Sequence, residues 1–354
     1  MIKRLEVSYP LIHTFPRHGF CLSILNRRDG FLPWMYSNHI QLRCRTEVFE
    51  QKNFVSDWFD FDSYFLMLDD NPWLQSQSLL RDFLKKHVPD RLQFVMDMID
   101  DGYYVFTYLD EYYVPGTYAY HNIRFPHAFL IYGYNKVEST LDIALYNEHR
   151  NFAFSTISFE DFIQAFDEME VTQSFMNSNF LLKPRPPFDY HYDLKMNIQA
   201  FEDYLLSRKT CDHQYDQYRL KGAGIRKDAY GLAVYDCLVR YISILEDQEV
   251  YYDLRPLHLL WEHKRCLKDH IKYLQHQRIL TEGSFLIEKA TELEKNALTM
   301  RNLMIKATLN YKMGTVDLKS LGGIKERLRE LKNKEALFLE ELLEQMIEER
   351  VCPS

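Results

Sequence analysis

Short apolar runs bounded by polar turns occupy the middle of the first half of the chain. Four of them predict β-strands, at residues 103–109, 127–134, 141–146 and 151–157. The polar segment 135–140 between the second and third runs predicts a hairpin. Ser158, followed by Glu160 and Asp161, predicts a helix N-cap with acidic residues in the first turn.

Other segments of the first half have helical or irregular patterns. The turn near His18 is predicted to open directly into a short apolar helix that starts at Cys21. Residues 71–84 and 91–99 are predicted to form helices, whereas the aromatic run 31–42 is predicted to be extended.

The second half of the chain is helical in pattern. Pro184, Pro186 and Pro187 end regular structure and predict a domain boundary. After them, helices are predicted at 257–274, 282–311 and 324–347, with spacing typical of a helical bundle. The fold class is therefore α+β, with a mixed domain at 1–182 and a mostly helical domain at 188–354.

Composition and charge narrow the class of protein. The chain has 354 residues, of which 46% are hydrophobic and 15% aromatic, enough for a substantial core. Residues 1–180 contain 15 Lys and Arg against 24 Asp and Glu, so their net charge is −9. Phosphates would be repelled by this half, which argues against nucleic acid as a partner.

The six cysteines show neither a CxxC motif nor zinc-ligand spacing, so no metal site is predicted from them. The first residues lack the apolar stretch of a secretory signal. No run approaches the ~18 apolar residues that span a bilayer, so no membrane association is predicted. These features predict a cytoplasmic protein with reduced thiols. The oligomeric state is not predictable from the sequence.

Cys21 and His127 are the candidate catalytic pair. A thiol at a helix N-terminus gains from the helix dipole, which favours the thiolate, and a histidine on a distant strand can act as its base. The alternative is a buried Cys21 that serves as a small apolar residue. GxGxxG, Walker A and GxSxG motifs are absent from the sequence, which argues against nucleotide and flavin chemistry.

Several segments together resemble one known family. They are Cys21, the runs 33–38 (PWMYSN), 101–105 (DGYYV) and 127–134 (HAFLIYGY), and, in the second half, 255–258, 262–264 and 301–306. The chain resembles proteins whose N-terminal domain is similar to that of the butirosin-biosynthesis acyltransferase, found beside thiotemplated peptide assembly lines. Relatives include the amide synthase of closthioamide assembly.

The resemblance implies a papain-like cysteine-protease fold used for acyl transfer. Cys21 would attack the acyl-phosphopantetheine thioester of a peptidyl or acyl carrier protein, and His127 would then deprotonate an amine that accepts the acyl group. No bound cofactor is implied. Two alternatives stay open: a cysteine hydrolase, either peptidase or thioesterase, and a catalytically degenerate scaffold that binds carrier proteins.

The residue that orients His127 is left open by the sequence. The family places an acid late in the following strand, where this chain has Leu145. Nearby candidates are Asn147 and Asp142, and strand alternation favours Asn147 because it shares a face with Leu145.

The oxyanion donor is also open. Papain-like enzymes use a Gln at the position that is Phe15 here, so His18 or the backbone N–H groups of Cys21 and Leu22 would have to serve. Four aromatic residues are predicted to line the substrate cleft: Trp34, Tyr36, Tyr112 and Tyr113.

Two charged clusters complete the set of candidates. His258, Glu262 and His263 have a spacing that suits a helix-surface network with Lys264 and Arg265 better than a metal site. Those two basic residues are the predicted carrier-protein contact. The acids Asp57, Asp60 and Asp62 lie among aromatic residues, either as a receptor for a cationic amine or as a loop with its aromatic side chains turned inward.

Overall fold

The structure is a computed structural model that describes residues 1–54, 58–62, 68, 71–187, 190–210, 228–248, 250–281 and 285–351. It is mixed α+β, with an antiparallel sheet and a helical C-terminal region. In the part of the chain that is described, no helix combines the length and the apolar character needed to cross a membrane.

The chain divides into two compact units. Unit 1 contains Met1–Phe31 and Phe65–Phe188, and unit 2 contains Leu32–Tyr64 and Asp189–Ser354. The later boundary follows the proline-rich segment directly. The predicted division differs in one respect, because it assigned residues 32–64 to the first domain whereas they lie in unit 2.

Unit 1 is built on a seven-stranded antiparallel sheet. In chain order, the strands of the described residues are β1 (Ile2–Arg4), β2 (Leu42–Arg45), β3 (Phe59–Phe61), β4 (Leu74–Leu80), β5 (Tyr104–Asp110), β6 (Pro126–Asn135), β7 (Thr140–Tyr146), β8 (Phe152–Ser158), β9 (Ser178–Pro184) and β10 (Asp228–Tyr230). The order in the large sheet is β4-β9-β5-β6-β7-β8, and β1 pairs with β6. β2, β3 and β10 form a separate three-stranded sheet in unit 2.

The helices, again in chain order, are α1 (Pro16–Leu25), α2 (Phe31–Asn38), α3 (Val48–Gln51), α4 (Arg81–His87), α5 (Arg91–Asp100), α6 (Phe159–Asp167), α7 (Leu194–Leu205), α8 (Val234–Glu246), α9 (Arg255–His276), α10 (Leu286–Lys312) and α11 (Leu318–Val351). Helix α1 packs on one face of the large sheet through Phe20, whose ring lies 5.6 Å from that of Phe106. The other face carries α5 and α6 and a continuous core that includes Phe129 and Ile143.

The predictions that rest on alternation and capping are confirmed. The four apolar runs are β5 to β8, and β6 and β7 form the predicted hairpin. The side chain of Ser158 accepts the N–H of Asp161 at the start of α6, as its spacing indicated. The helices predicted at 91–99, 257–274, 282–311 and 324–347 correspond to α5, α9, α10 and α11, although residues 282–284 lie outside the described part of the chain.

The predictions for residues 74–80 and 31–38 are wrong. Residues 74–80 form β4 instead of a helix, because all seven pair with β9, a strand that the sequence pattern did not predict. Residues 31–38 form α2 instead of an extended segment. Pro33 is the third residue of this helix, where its missing N–H costs no intrahelical bond, and Asn38 donates to the carbonyl of Trp34 one turn back at 2.7 Å.

Candidate functional site

Cys21 lies in the interior of its helix. Helix α1 begins at Pro16, which occupies the first helical position, so Cys21 is the sixth residue of ten. The stabilisation of a thiolate by the helix dipole falls off within the first turn. The predicted helix start at Cys21 is therefore wrong, and burial of the thiol raises its pKa instead of lowering it.

Because α1 begins at Pro16, the backbone N–H groups of Cys21 and Leu22 are wrong as oxyanion donors. In an α-helix that begins at Pro16, the N–H groups of Cys21 and Leu22 point to the carbonyl groups of residues four positions earlier, so they are not available at the helix end. His18 is buried and lies three residues before Cys21, on the same face of α1. Of the two alternatives for the oxyanion donor, His18 is therefore the one that remains.

His127 has a carboxylate partner that the sequence did not indicate. Its Nδ1 lies 2.8 Å from Oε1 of Glu111, and the Glu111 side chain is only 4% exposed against 26% for His127. Nδ1 has no partner of hydrogen-bond geometry among the described residues, so this contact is electrostatic in the structure. Because the carboxylate lies at Nδ1, the imidazole Nε2 is the atom left to exchange a proton with a substrate or a thiol.

The backbone explains why Glu111 reaches His127. Strands β5 and β6 pair with Leu109 opposite His127, and Glu111 follows in a 3₁₀ turn directly after β5. The Glu111 N–H donates to the carbonyl of Phe125 at 3.0 Å, and the Asp110 side chain accepts the N–H of Phe125 at 2.9 Å. These bonds fix the turn against the start of β6.

The two predicted orienting residues have other partners. Asp142 pairs with Gly133 in the β6–β7 register, six residues along β6 from His127, which is about 20 Å at strand spacing, and its carboxylate binds Arg4. Asp142 is therefore wrong as an orienting residue. Asn147 lies at the end of β7, but its side-chain oxygen accepts the N–H groups of His149 and Asn151 at 3.0 and 3.1 Å as a turn cap.

Tyr146 contacts both the Cys21 helix and His127. Its ring lies 6.2 Å from that of Phe20, next to Cys21, and 5.7 Å edge-on from that of His127. A Cβ at Gly19 would lie 3.1 Å from the Tyr146 hydroxyl oxygen, so the helix approaches this ring closely. Cys21 and His127 thus belong to neighbouring elements at one end of the sheet.

The four predicted cleft residues fall into two groups. Tyr112 and Tyr113 lie in the turn beside Glu111, partly exposed, and the Arg124 guanidinium stands 5.2 Å from the Tyr113 ring. Trp34 and Tyr36 lie in unit 2 and are buried, and Tyr36 stacks on His270 at 5.4 Å. The predicted cleft role is therefore wrong for Tyr36, because its ring is part of a packed interior.

Unit 2 contains a buried polar network centred on Lys264. Its ammonium group binds the Glu335 carboxylate, with both side chains fully buried, and lies 3.1 Å from His263 Nδ1. The Tyr235 hydroxyl donates to the other Glu335 oxygen at 2.5 Å. Lys264 is thus wrong as a surface contact for a carrier protein. Arg265 is partly buried, with its guanidinium 4.7 Å from the Trp261 ring.

A small cavity adjoins this network. It is lined by three histidines, His39, His263 and His270, together with Cys266 and aromatic side chains. It has room for about one water molecule, so it is too small for a substrate.

The other charged clusters have neighbours within unit 2. His258 Nε2 lies 3.3 Å from Glu262 Oε1, and Arg301 donates to His258 Nδ1 at 2.9 Å, so both ring nitrogens have neighbours within α9 and α10. Glu262 is fully buried, which corrects the prediction of a helix-surface network. In the acidic run, Asp57 lies outside the described residues. Asp60 is buried, and its side chain accepts the backbone N–H of Phe61. Asp62 lies 4.0 Å from Arg43.

The buried histidines of unit 2 predict acid sensitivity. Burial lowers the pKa of His263 well below its usual value and that of His270 to about 3, so both are neutral when folded. The unfolded chain takes up these protons below a pH of about 6.5, and the free energy of unfolding should therefore fall as pH falls. Each histidine costs up to about 1.4 kcal/mol per pH unit, or together about 3 kcal/mol between pH 6.5 and 5.

Urea titrations at pH 7, 6 and 5 would measure this loss. The His270→Phe variant should lose about half of the dependence on pH, because it removes one of the two protons. A free energy of unfolding that is level between pH 7 and 5 would contradict the assignment of both histidines as neutral groups.

Comparison of the sequence with protein-family models and with curated proteins finds no match. The papain-like identity and the acyltransferase family implied by the resemblance therefore stay predictions.

Proposed function

We propose that unit 1 is a papain-like cysteine acyltransferase domain that moves an acyl group from a carrier-protein thioester to an amine. The observation that carries this proposal is the buried Glu111 carboxylate 2.8 Å from His127 Nδ1. A base with a carboxylate at one ring nitrogen and the other nitrogen available is the arrangement that activates a nucleophile. A cytoplasmic location is part of the proposal, since that compartment keeps cysteine thiols reduced.

The resting form of Cys21 in this proposal is the thiol, because burial raises its pKa. His127 Nε2 takes the thiol proton as the sulfur attacks the thioester carbonyl, and Glu111 stabilises the imidazolium that forms. The phosphopantetheine thiol leaves, with a proton returned from His127. An amine then attacks the acyl-enzyme, His127 takes its proton, and the amide is released as Cys21 regains its thiol.

Acyl transfer predicts a covalent adduct on Cys21. Incubation with short acyl thioesters, free or on a carrier protein, should add one acyl group to the native protein, read as intact mass. The Cys21→Ala and His127→Ala variants should show none. The Cys266→Ala variant, which removes another buried thiol, should be acylated like the native protein.

The acceptor of the acyl group, either an amine or water, distinguishes acyl transfer from hydrolysis at the same Cys21–His127 centre. Loss of the adduct only when an amine is added, with an amide as product, supports the transferase. Loss at the same rate without amine supports the alternative of a cysteine hydrolase.

A second candidate is a catalytically degenerate scaffold that binds carrier proteins. It is favoured by the complete burial of Cys21, which leaves the sulfur no exposed surface. A folded protein that binds an acyl-carrier protein but acquires no adduct, and whose Cys21→Ala variant binds it equally well, would support this reading over the enzyme.

A further inference from the structure

Two arginine side chains from different helices contact one tryptophan ring in unit 2. The Arg265 guanidinium lies 4.7 Å from the centre of the Trp261 ring, which stands one turn earlier on α9. The Arg301 guanidinium, from α10, lies 5.3 Å from the same ring centre. All three residues are partly exposed. The indole ring attracts both cations, so it holds two positive charges near each other at the surface of this unit.

Arg265 has hydrogen-bond donors that the described residues do not use. Its Nε and Nη2 are buried and have no hydrogen-bond partner among those residues. The acid one turn later, Asp269, lies 2.9 Å from Lys272. Nε and Nη2 form one edge of the guanidinium, and this edge matches two oxygens of an oxyanion. Since a buried N–H costs free energy until an acceptor reaches it, the edge favours a ligand that supplies oxygen atoms.

Arg301 is held in place by a chain of polar contacts. Its Nε donates to His258 Nδ1 at 2.9 Å, and its Nη1 donates to the side-chain oxygen of Asn302 at 3.2 Å. Because His258 Nδ1 is an acceptor, the ring proton is on Nε2, which lies 3.3 Å from the fully buried Glu262 carboxylate. His258 is then neutral, so one carboxylate balances two guanidinium groups and a positive charge remains.

We propose that Arg265, Arg301 and Trp261 form a binding site for the terminal phosphate group of a small molecule. The two guanidinium groups come from different helices, so their donors reach a ligand from two directions. A tetrahedral phosphate has oxygens in several directions, whereas a planar carboxylate is satisfied by a single guanidinium edge. Binding requires a rotation of the Arg265 side chain that turns its buried edge to the surface. Each residue belongs to unit 2, so the site is independent of the proposed acyl-transfer centre.

Equilibrium dialysis of the native protein against radiolabelled inorganic phosphate tests the site, with the ionic strength held constant by sodium chloride. We expect saturable binding of one phosphate per chain. The Arg265→Gln variant should bind at least about tenfold more weakly, because a charge-assisted pair of hydrogen bonds is lost. Unlabelled glycerol phosphate should displace the label, and acetate at the same concentration should not.

Arg240 provides the matched control, since its guanidinium stands 4.7 Å from the Phe49 ring and it is exposed. The Arg240→Gln variant removes the same charge and the same kind of contact with an aromatic ring, so it should bind phosphate like the native protein. Equal losses in the Arg265 and Arg240 variants would show that only the net charge matters, and would overturn the proposal. Native protein without saturable binding, binding that Arg265→Gln leaves unchanged, label that glycerol phosphate does not displace, or displacement by acetate would overturn it as well.

Discussion

Replacement of Lys264 by methionine is expected to lower the free energy of unfolding by about 3–5 kcal/mol. The Lys264 ammonium and the Glu335 carboxylate form an ion pair in which both side chains are fully buried. Removal of the lysine leaves the carboxylate buried without its counter-charge, and this uncompensated charge is the source of the cost. The Tyr235 hydroxyl still donates to Glu335, which offsets a part of the loss.

Urea unfolding of three variants would measure how much the Lys264–Glu335 ion pair contributes to the free energy of unfolding. The double variant Lys264→Met/Glu335→Leu should recover most of the loss, because neither buried charge remains. The Lys332→Met variant is the control: Lys332 and Asp236 are 2.8 Å apart, but the aspartate side chain is 72% exposed, so this change should cost under about 1 kcal/mol. A single Lys264→Met variant as stable as that control would contradict the expectation.

The sequence around Lys264 explains why its role as a buried ion-pair partner was not predictable. In the sequence it stands among His263, Arg265 and other polar residues of a long helix, a pattern that is typical of a solvated surface. Its partner, Glu335, lies on another helix 71 residues later. Periodicity within one helix carries no information about such a pair, so the burial of a charge follows only from tertiary packing.

The sheet was predictable where alternation is strong and local. Strands β5 to β8 have apolar runs with polar turns, and the β6–β7 hairpin needs only a short connection. Strand β4 was not predictable in this way, because its partner β9 lies about a hundred residues later and its exposed Leu80 has the spacing of a helix stripe.

The candidate site was predictable only in part. The strand that carries His127 is predictable from its apolar run, but the position of Glu111 is not, because it depends on the pairing of β5 with β6. That pairing puts Leu109 opposite His127 and Glu111 beside it. The start of α1 is predictable from Pro16, because proline is suited to the first helical position. Pro16 lies five residues before Cys21.

Replacement of Glu111 by glutamine is expected to slow acylation of Cys21 by about a hundredfold, the lower end of what a general base contributes. Glutamine keeps the size of the side chain but removes the charge that stabilises the imidazolium of His127. The matched controls are Asp142→Asn and Asn147→Ala. Asp142 binds Arg4 and Asn147 caps a turn, so each should leave the acylation rate within about threefold of the native value once folding is verified.

A conservative variant distinguishes a positioning role from a structural one. If Glu111 acts on His127 through its charge, the Glu111→Asp variant, which keeps the carboxylate, should recover part of the acylation rate that Glu111→Gln loses. A merely structural role would make the two variants equally slow. A large loss in Asn147→Ala with an unchanged Glu111→Gln would instead assign the orienting role to Asn147, and the electrostatic contact at Nδ1 would then be incidental to catalysis.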